Sequence, residues 1–213
     1  MRLNLAFCRT DSSALDILRY GDWFPPERYE SLCRSVASVQ RESVAGRMLL
    51  AALLRQREPE AVLPPRLNFG PWGKPVLTDY PELYFNLSHS GDWAVCAMST
   101  VPVGVDLQEN RHIMLSIARK FAPSEQTWLE SVPEAERSAA LCWLWSLKEA
   151  FCKCTGDGLS LPLDRAVFTM DPLSIQVPGY TVCTPPPPEA DYALALCART
   201  EEPLEVDVQL LEL

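Results

Sequence analysis

Long apolar runs are missing. No stretch of about 18 apolar residues occurs in the 213 residues, so no helix is expected to span a bilayer. No secretory leader is expected either. Met1–Cys8 is short, turns polar at once and reads as a first strand. Basic charge is scarce: 19 Lys and Arg face 28 Asp and Glu, a formal net charge of −9. Nucleic acid and anionic membrane are therefore not the expected partners. The eight cysteines contain no CxxC pair, and Cys152 and Cys154 have no second pair to complete four ligands. Most sit in apolar runs, as small buried hydrophobes do, and a reducing cytoplasm is the simplest compartment for them. Nor is there a GxSxG elbow around Ser88-His89, and adjacent strand residues point to opposite faces, so a hydrolase triad is not expected.

What is present is ordinary for a globular chain: 47% apolar and 22% charged residues, enough for one large domain or two small ones. Residues 41–57, rich in Ala, Leu, Met and Arg, predict a helix ended by Pro59, Pro64 and Pro65. Residues 66–84 read as loop. Strands are expected at 84–88, 93–99 and 103–108, the first two joined at Ser90-Gly91-Asp92. Residues 112–131 look helical with a break near Pro123, and 134–154 form a second strong helix. Strands follow near 166–169, 180–184 and 192–199. The first 35 residues and the tail after Arg199 carry little signal.

One internal echo stands out. Asp92–Met98 resembles Asp191–Cys197, and Gly46 precedes Asp92 by 46 residues as Ser146 precedes Asp191 by 45. Two similar halves would produce this, with a natural ligand cleft between them. Two unrelated alternating strands would produce it as well.

Several residues have chemical potential. Strand alternation points Gly104, Asp106 and Gln108 the same way, the last two about 7 Å apart at Cα at ~3.3 Å per residue. That pair suits a hard cation such as Mg²⁺, or is merely a solvated polar edge. Trp145, Glu149 and Lys153 share one face of the second helix. That helix is apolar nearly all round, so Lys148, Glu149 and Lys153 need partners. His89 and neighbouring hydroxyls suit an anion. Arg47 and the turn Trp72-Gly73-Lys74-Pro75 add cations, or are plain surface charges.

Taken in order, these segments resemble the 4′-phosphopantetheinyl transferases of the longer, single-chain Sfp type. The resemblance rests on Ala45-Gly46-Arg47, Gly73-Lys74-Pro75, Phe85–Ser90, Val103–Asp106, Phe121 with Glu125, Trp145–Lys153 and Gly156–Leu163. It implies an α+β pseudo-dimer of two similar halves, 1–102 and 103–213, each an antiparallel sheet packed with a helix. The active site would lie in the cleft between them. It implies transfer of phosphopantetheine from coenzyme A to a serine of an acyl, peptidyl or polyketide carrier protein, releasing adenosine 3′,5′-bisphosphate. Asp106 and Glu149, with Gln108 beside them, would hold Mg²⁺. Glu149 would take the serine proton and Lys153 would stabilise phosphate oxygens. Arg47, Lys74, Ser88 and His89 would bind nucleotide phosphates, and Trp72, Gly73 and Pro75 would line the adenine pocket. Gln108 departs from members with a Glu two residues after the Asp. The alternatives are a coenzyme-A-cleft binding protein with little turnover and a different Mg²⁺-dependent phosphotransferase or nuclease. Because chain and carrier are both acidic, the carrier is expected on an apolar surface around Gly158–Leu163 and the helix before it. A cytoplasmic monomer is expected.

Overall fold

The computed structural model describes residues 1–70, 72–110, 115–156 and 162–212. The fold is α+β. Strands are β1 Arg2–Arg9, β2 Leu67–Phe69, β3 Pro75–Leu77, β4 Tyr84–Ser90, β5 Trp93–Ser99, β6 Val103–Glu109, β7 Phe168–Met170, β8 Leu173–Ile175, β9 Thr181–Cys183, β10 Tyr192–Ala198 and β11 Glu205–Leu210. Helices are α1 Pro26–Cys33, α2 Ala37–Arg57, α3 Pro123–Ser131 and α4 Arg137–Thr155. One sheet has the order β11-β1-β5-β4, antiparallel except for the β1–β11 pair. A second, antiparallel throughout, has the order β6-β10-β9. Hairpins β2–β3 and β7–β8 stand apart from both.

The layers follow from period-two side chains. Leu3, Leu5, Phe7, Val95 and Ala97 on the first sheet meet Val103, Val105, Leu107, Leu194 and Leu196 on the second. The other face of the first sheet, with Ala6, Cys8, Ala94, Cys96 and Met98, packs on α2 through Leu49, Leu50, Leu53 and Leu54. The other face of the second sheet, with Ala195 and Cys197, packs on α4 through Leu144, Leu147 and Ala150. The order is helix, sheet, sheet, helix, and the echoed segments are β5 and β10.

Two glycines set close approaches. At Gly46 an added Cβ would lie 3.3 Å from Leu87 Cδ1, so its absence brings α2 against β4. At Gly104 an added Cβ would collide with the backbone of Ala150 and Cys154, so β6 lies directly on α4. Forcing a methyl into a packed core costs about 1–3 kcal/mol. α4 ends at Gly156, whose φ of 82° is one that glycine adopts freely. No disulfide forms: all eight cysteines are free thiols.

Lys148 has a structural task. Its side chain is fully buried, and Nζ donates to Glu125 Oε1 at 2.7 Å, to Leu163 O at 2.8 Å and to Ala166 O at 2.6 Å. The rings of Phe121 and Phe168 flank it, each 5.2 Å from Nζ. Glu125 also accepts the N–H groups of Ala122 and Phe168. A charge on the apolar side of α4 is thus met by a buried acid of α3, away from the site below.

Candidate active site

A cavity of about 620 Å³ opens between α1, α2, hairpin β2–β3 and β4. Arg47, Pro75, Ser88 and His89 line it, as do Phe24, Pro25, Arg28 and Glu42. The Arg47 guanidinium lies over the Phe24 ring, 5.4 Å from its centroid, and Nη1 is buried without a protein partner. Burial, and then the charge of Arg28, push the Arg47 pKa down. Two like charges facing one cavity, one of them short of acceptors, are suited to an anion. His89 Nδ1 lies 3.2 Å from Glu42 Oε2.

Ser88 links this cavity to the acids behind it. Its Oγ donates to Asp106 Oδ1 at 3.0 Å and accepts from Lys153 Nζ at 3.0 Å and from Leu107 N–H at 3.2 Å. A hydroxyl has one hydrogen and two lone pairs, so all of its capacity is used within the protein. Ser88 lines the cavity, and its hydroxyl is held against Asp106.

Lys153 Nζ reaches Asp106 Oδ1 at 2.6 Å. Burial raises the Asp106 pKa, against the pull of Lys153, Ser88 and His89. Burial raises that of Glu149 as well, followed by repulsion from Asp106, with Lys153 opposing. Asp106 Oδ2 and Glu149 Oε1 are buried with no hydrogen-bond partner. Two partnerless carboxylate oxygens on acids close enough to repel suit a divalent cation. Among the described residues no three His, Cys, Asp or Glu side chains gather as a metal cluster. Two acids suffice for Mg²⁺, which binds through one or two carboxylates and keeps waters. Gln108 is half-buried on the same face of β6, and its Nε2 donates to Glu109 O at 3.4 Å.

Lys74 sits apart from the residues that line this cavity. Its ammonium donates to the carbonyls of Val103 at 3.2 Å, Lys153 at 2.5 Å and Cys154 at 3.2 Å. Burial lowers its pKa. The charge caps the C-terminal end of α4, where a cation is favoured, and does not face the cavity. Trp72 is 69% exposed and Gly73 faces open space; neither lines the cavity. Of the turn, only Pro75 does. Residues 158–161 of the expected docking segment lie outside the described residues.

Phe24, Pro25, Arg28 and Glu42 are among the lining residues that escape the sequence reading. A signal existed in Pro25-Pro26-Glu27. Proline and an acid in a first turn mark a helix start, and Arg28 follows on that turn of α1.

Paired cations on a cavity, leading through a serine to two acids and a lysine, are suited to a phosphorylated ligand. Comparison with known proteins narrows the class. Residues 102–197 match the 4′-phosphopantetheinyl transferase superfamily. The chain is 31% identical over 189 residues to 4′-phosphopantetheinyl transferase Sfp of Bacillus subtilis, covering 84% of each chain. It is 38% identical over 144 residues to another 4′-phosphopantetheinyl transferase of Bacillus subtilis, covering 63% of this chain and 64% of that one. Holo-[acyl-carrier-protein] synthase of Thermotoga maritima superposes on 48% of this chain and 64% of its own, with TM-score 0.41 and 21% identity. The chain belongs to the 4′-phosphopantetheinyl transferase family, Sfp type, and is an enzyme of that class.

Proposed function

We propose that the cavity beside Arg28, Arg47 and His89 holds the nucleotide end of coenzyme A, and that phosphopantetheine leaves it for a carrier-protein serine at Asp106, Glu149 and Lys153. The observation that carries this reading is the pair of buried, partnerless oxygens on Asp106 and Glu149 beside Lys153, reached from the cavity through Ser88. Residues 1–102 and 103–213 act as two halves of a pseudo-dimer, β11 of the second returning to the sheet of the first; the cavity is lined by the first half, and the active site spans both where Ser88 meets Asp106 and Lys153.

Asp106 and Glu149, with Gln108 or a water beside them, would hold Mg²⁺. When bound, the ion neutralises charge on the pyrophosphate at the attacked phosphorus and the leaving group. Arg47 and Arg28 supply positive charge that does not change during reaction, so they bind and orient. The Phe24 ring lies against the Arg47 guanidinium and helps to hold it at the cavity. Glu149, whose pKa burial has raised, takes the proton of the serine hydroxyl as its oxygen attacks phosphorus. The bond to adenosine 3′,5′-bisphosphate breaks as the new one forms. Lys153 donates to phosphate oxygen from its station beside Asp106.

Incubation with coenzyme A, Mg²⁺ and apo carrier proteins, followed by intact mass of the carrier, tests this. Gain of one phosphopantetheine is expected; a carrier that stays unmodified while coenzyme A binds would favour the cleft-binding alternative. The chain works as a cytoplasmic monomer, meeting its carrier at an apolar surface by the end of α4. No helix of the described residues is long and apolar enough to cross a membrane.

A further inference from the structure

β4 and β6 are edge strands of different sheets, and side chains join them. Asn86 Oδ1 accepts the N–H of Val105 at 3.0 Å, Ser88 Oγ that of Leu107 at 3.2 Å, and Ser90 Oγ that of Glu109 at 3.0 Å. An edge strand turns every second N–H away from its sheet, and each needs an acceptor when buried. Here three successive outward N–H groups of β6 meet three successive same-face side chains of β4. The result is a ladder with one strand's rungs built from side chains. It closes at the adjoining turn, where Asp92 N–H donates to the Tyr192 hydroxyl at 3.3 Å. Gly91 leaves that hydroxyl the room a Cβ would take.

Asp106 stands between the first two rungs. The N–H before its own is held by Asn86 and the N–H after it by Ser88. Gln108 stands between the second and third. Asn86 is buried, does not line the cavity, and its Oδ1 holds the N–H of Val105, the residue before Asp106.

We propose that Asn86 and Ser90 are positioning residues: by satisfying the outward N–H groups of β6 they fix its register on β4, and so aim Asp106 and Gln108 at the reacting pyrophosphate. The inference rests on the catalytic reading of Asp106 above. Serine already serves at the other two rungs, so Asn86→Ser is the conservative change and Asn86→Ala the disruptive one.

The test combines amide hydrogen exchange with steady-state kinetics on the full chain. Asn86→Ala should speed exchange of the Val105 amide. It should lower kcat about tenfold, since small misplacements of reacting groups are costly, with KM for coenzyme A within about twofold. Asn86→Ser should recover most of both. Leu49→Ala, in the core between α2 and the first sheet, should keep wild-type kcat at a comparable loss of Tm. Should Asn86→Ala fail to fold, Ser90→Ala gives the same comparison at the Glu109 amide. Wild-type kcat in the ladder variants, equal kcat loss in Leu49→Ala, or no recovery in Asn86→Ser would overturn the proposal. If Asp106→Asn kept full turnover while the Val105 amide still responded to Asn86→Ala, the ladder would stand and the role of Asp106 would fall.

Discussion

Lys153 Nζ sits 2.6 Å from Asp106 Oδ1, while Asp106 Oδ2, on the same carboxylate, is buried without a partner. Lys153 neutralises one oxygen and leaves the other without a protein partner. Asp106→Ala and Glu149→Gln should each cut turnover on the order of 100-fold or more. The double variant should be scarcely worse than either single one, because the two acids act as a unit. Single-turnover rates at saturating Mg²⁺ measure this, and wild-type rates for Glu149→Gln would remove it from the site.

Binding and chemistry should separate among the cations. If the cavity holds the nucleotide end of coenzyme A as proposed, Arg47→Ala and Arg28→Ala should raise its KM about tenfold with kcat little changed. Lys153→Ala should lower kcat instead. Lys74→Ala should lower Tm, since Lys74 caps α4 and does not line the cavity. The reverse pattern in steady-state kinetics would refute this division.

Glu149 should give the enzyme stability when it is removed. Burial raises its pKa above the ordinary value of 4.5, so the charged form is penalised in the folded state. The penalty is full above the folded pKa and vanishes as pH falls through it toward the unfolded value. Glu149→Gln should therefore match or exceed the wild-type Tm at neutral pH, the gap closing on acidification. A gap that widens toward acid would contradict the sign.

Gln108 offers an amide where a third carboxylate could stand. Gln108→Glu should tighten binding of Mn²⁺, read by the paramagnetic signal of the free ion, and lower the Mg²⁺ concentration for half-maximal rate. An unmoved binding curve would mean that Gln108 does not face the metal.

Lys148→Met leaves Glu125 charged and buried without its cation. Breaking such a pair costs about 3–5 kcal/mol. Denaturant unfolding should show that loss, with KM for coenzyme A unchanged in the folded fraction. A raised KM with full stability would place Lys148 in the site after all.

The elements legible in the sequence were those with long, consistent patterns. α2 and α4 announce themselves by uninterrupted helix formers, and β4, β5, β6 and β10 by alternation or buried runs. α1, the β2–β3 hairpin and β11 were not legible. β2 and β3 have three residues each, and β11 is acidic and mostly exposed. The acids and Lys153 could be found by spacing on one helix and one strand. For Arg28 and Glu42 sequence offers at most a helix start at Pro25-Pro26-Glu27; that they face one cavity depends on how α1 folds against α2. Lys74 and Lys148 show the opposite failure. Sequence reveals that a lysine needs partners, but not that backbone carbonyls will supply them.

The parallel pairing of β1 with β11 has a consequence for synthesis. Arg2 is set beside Glu205 and Phe7 beside Leu210, so nearly the whole chain lies between partners. Such distant contacts slow folding, and domains made on the ribosome fold from the front. The first sheet breaks that order. Its opening strand is translated first and must wait, one edge bare, until residues 205–210 have emerged. A ribosome stalled before Glu205 would display a half-finished sheet whose free edge is the natural place for chaperone or neighbouring nascent chains to attach.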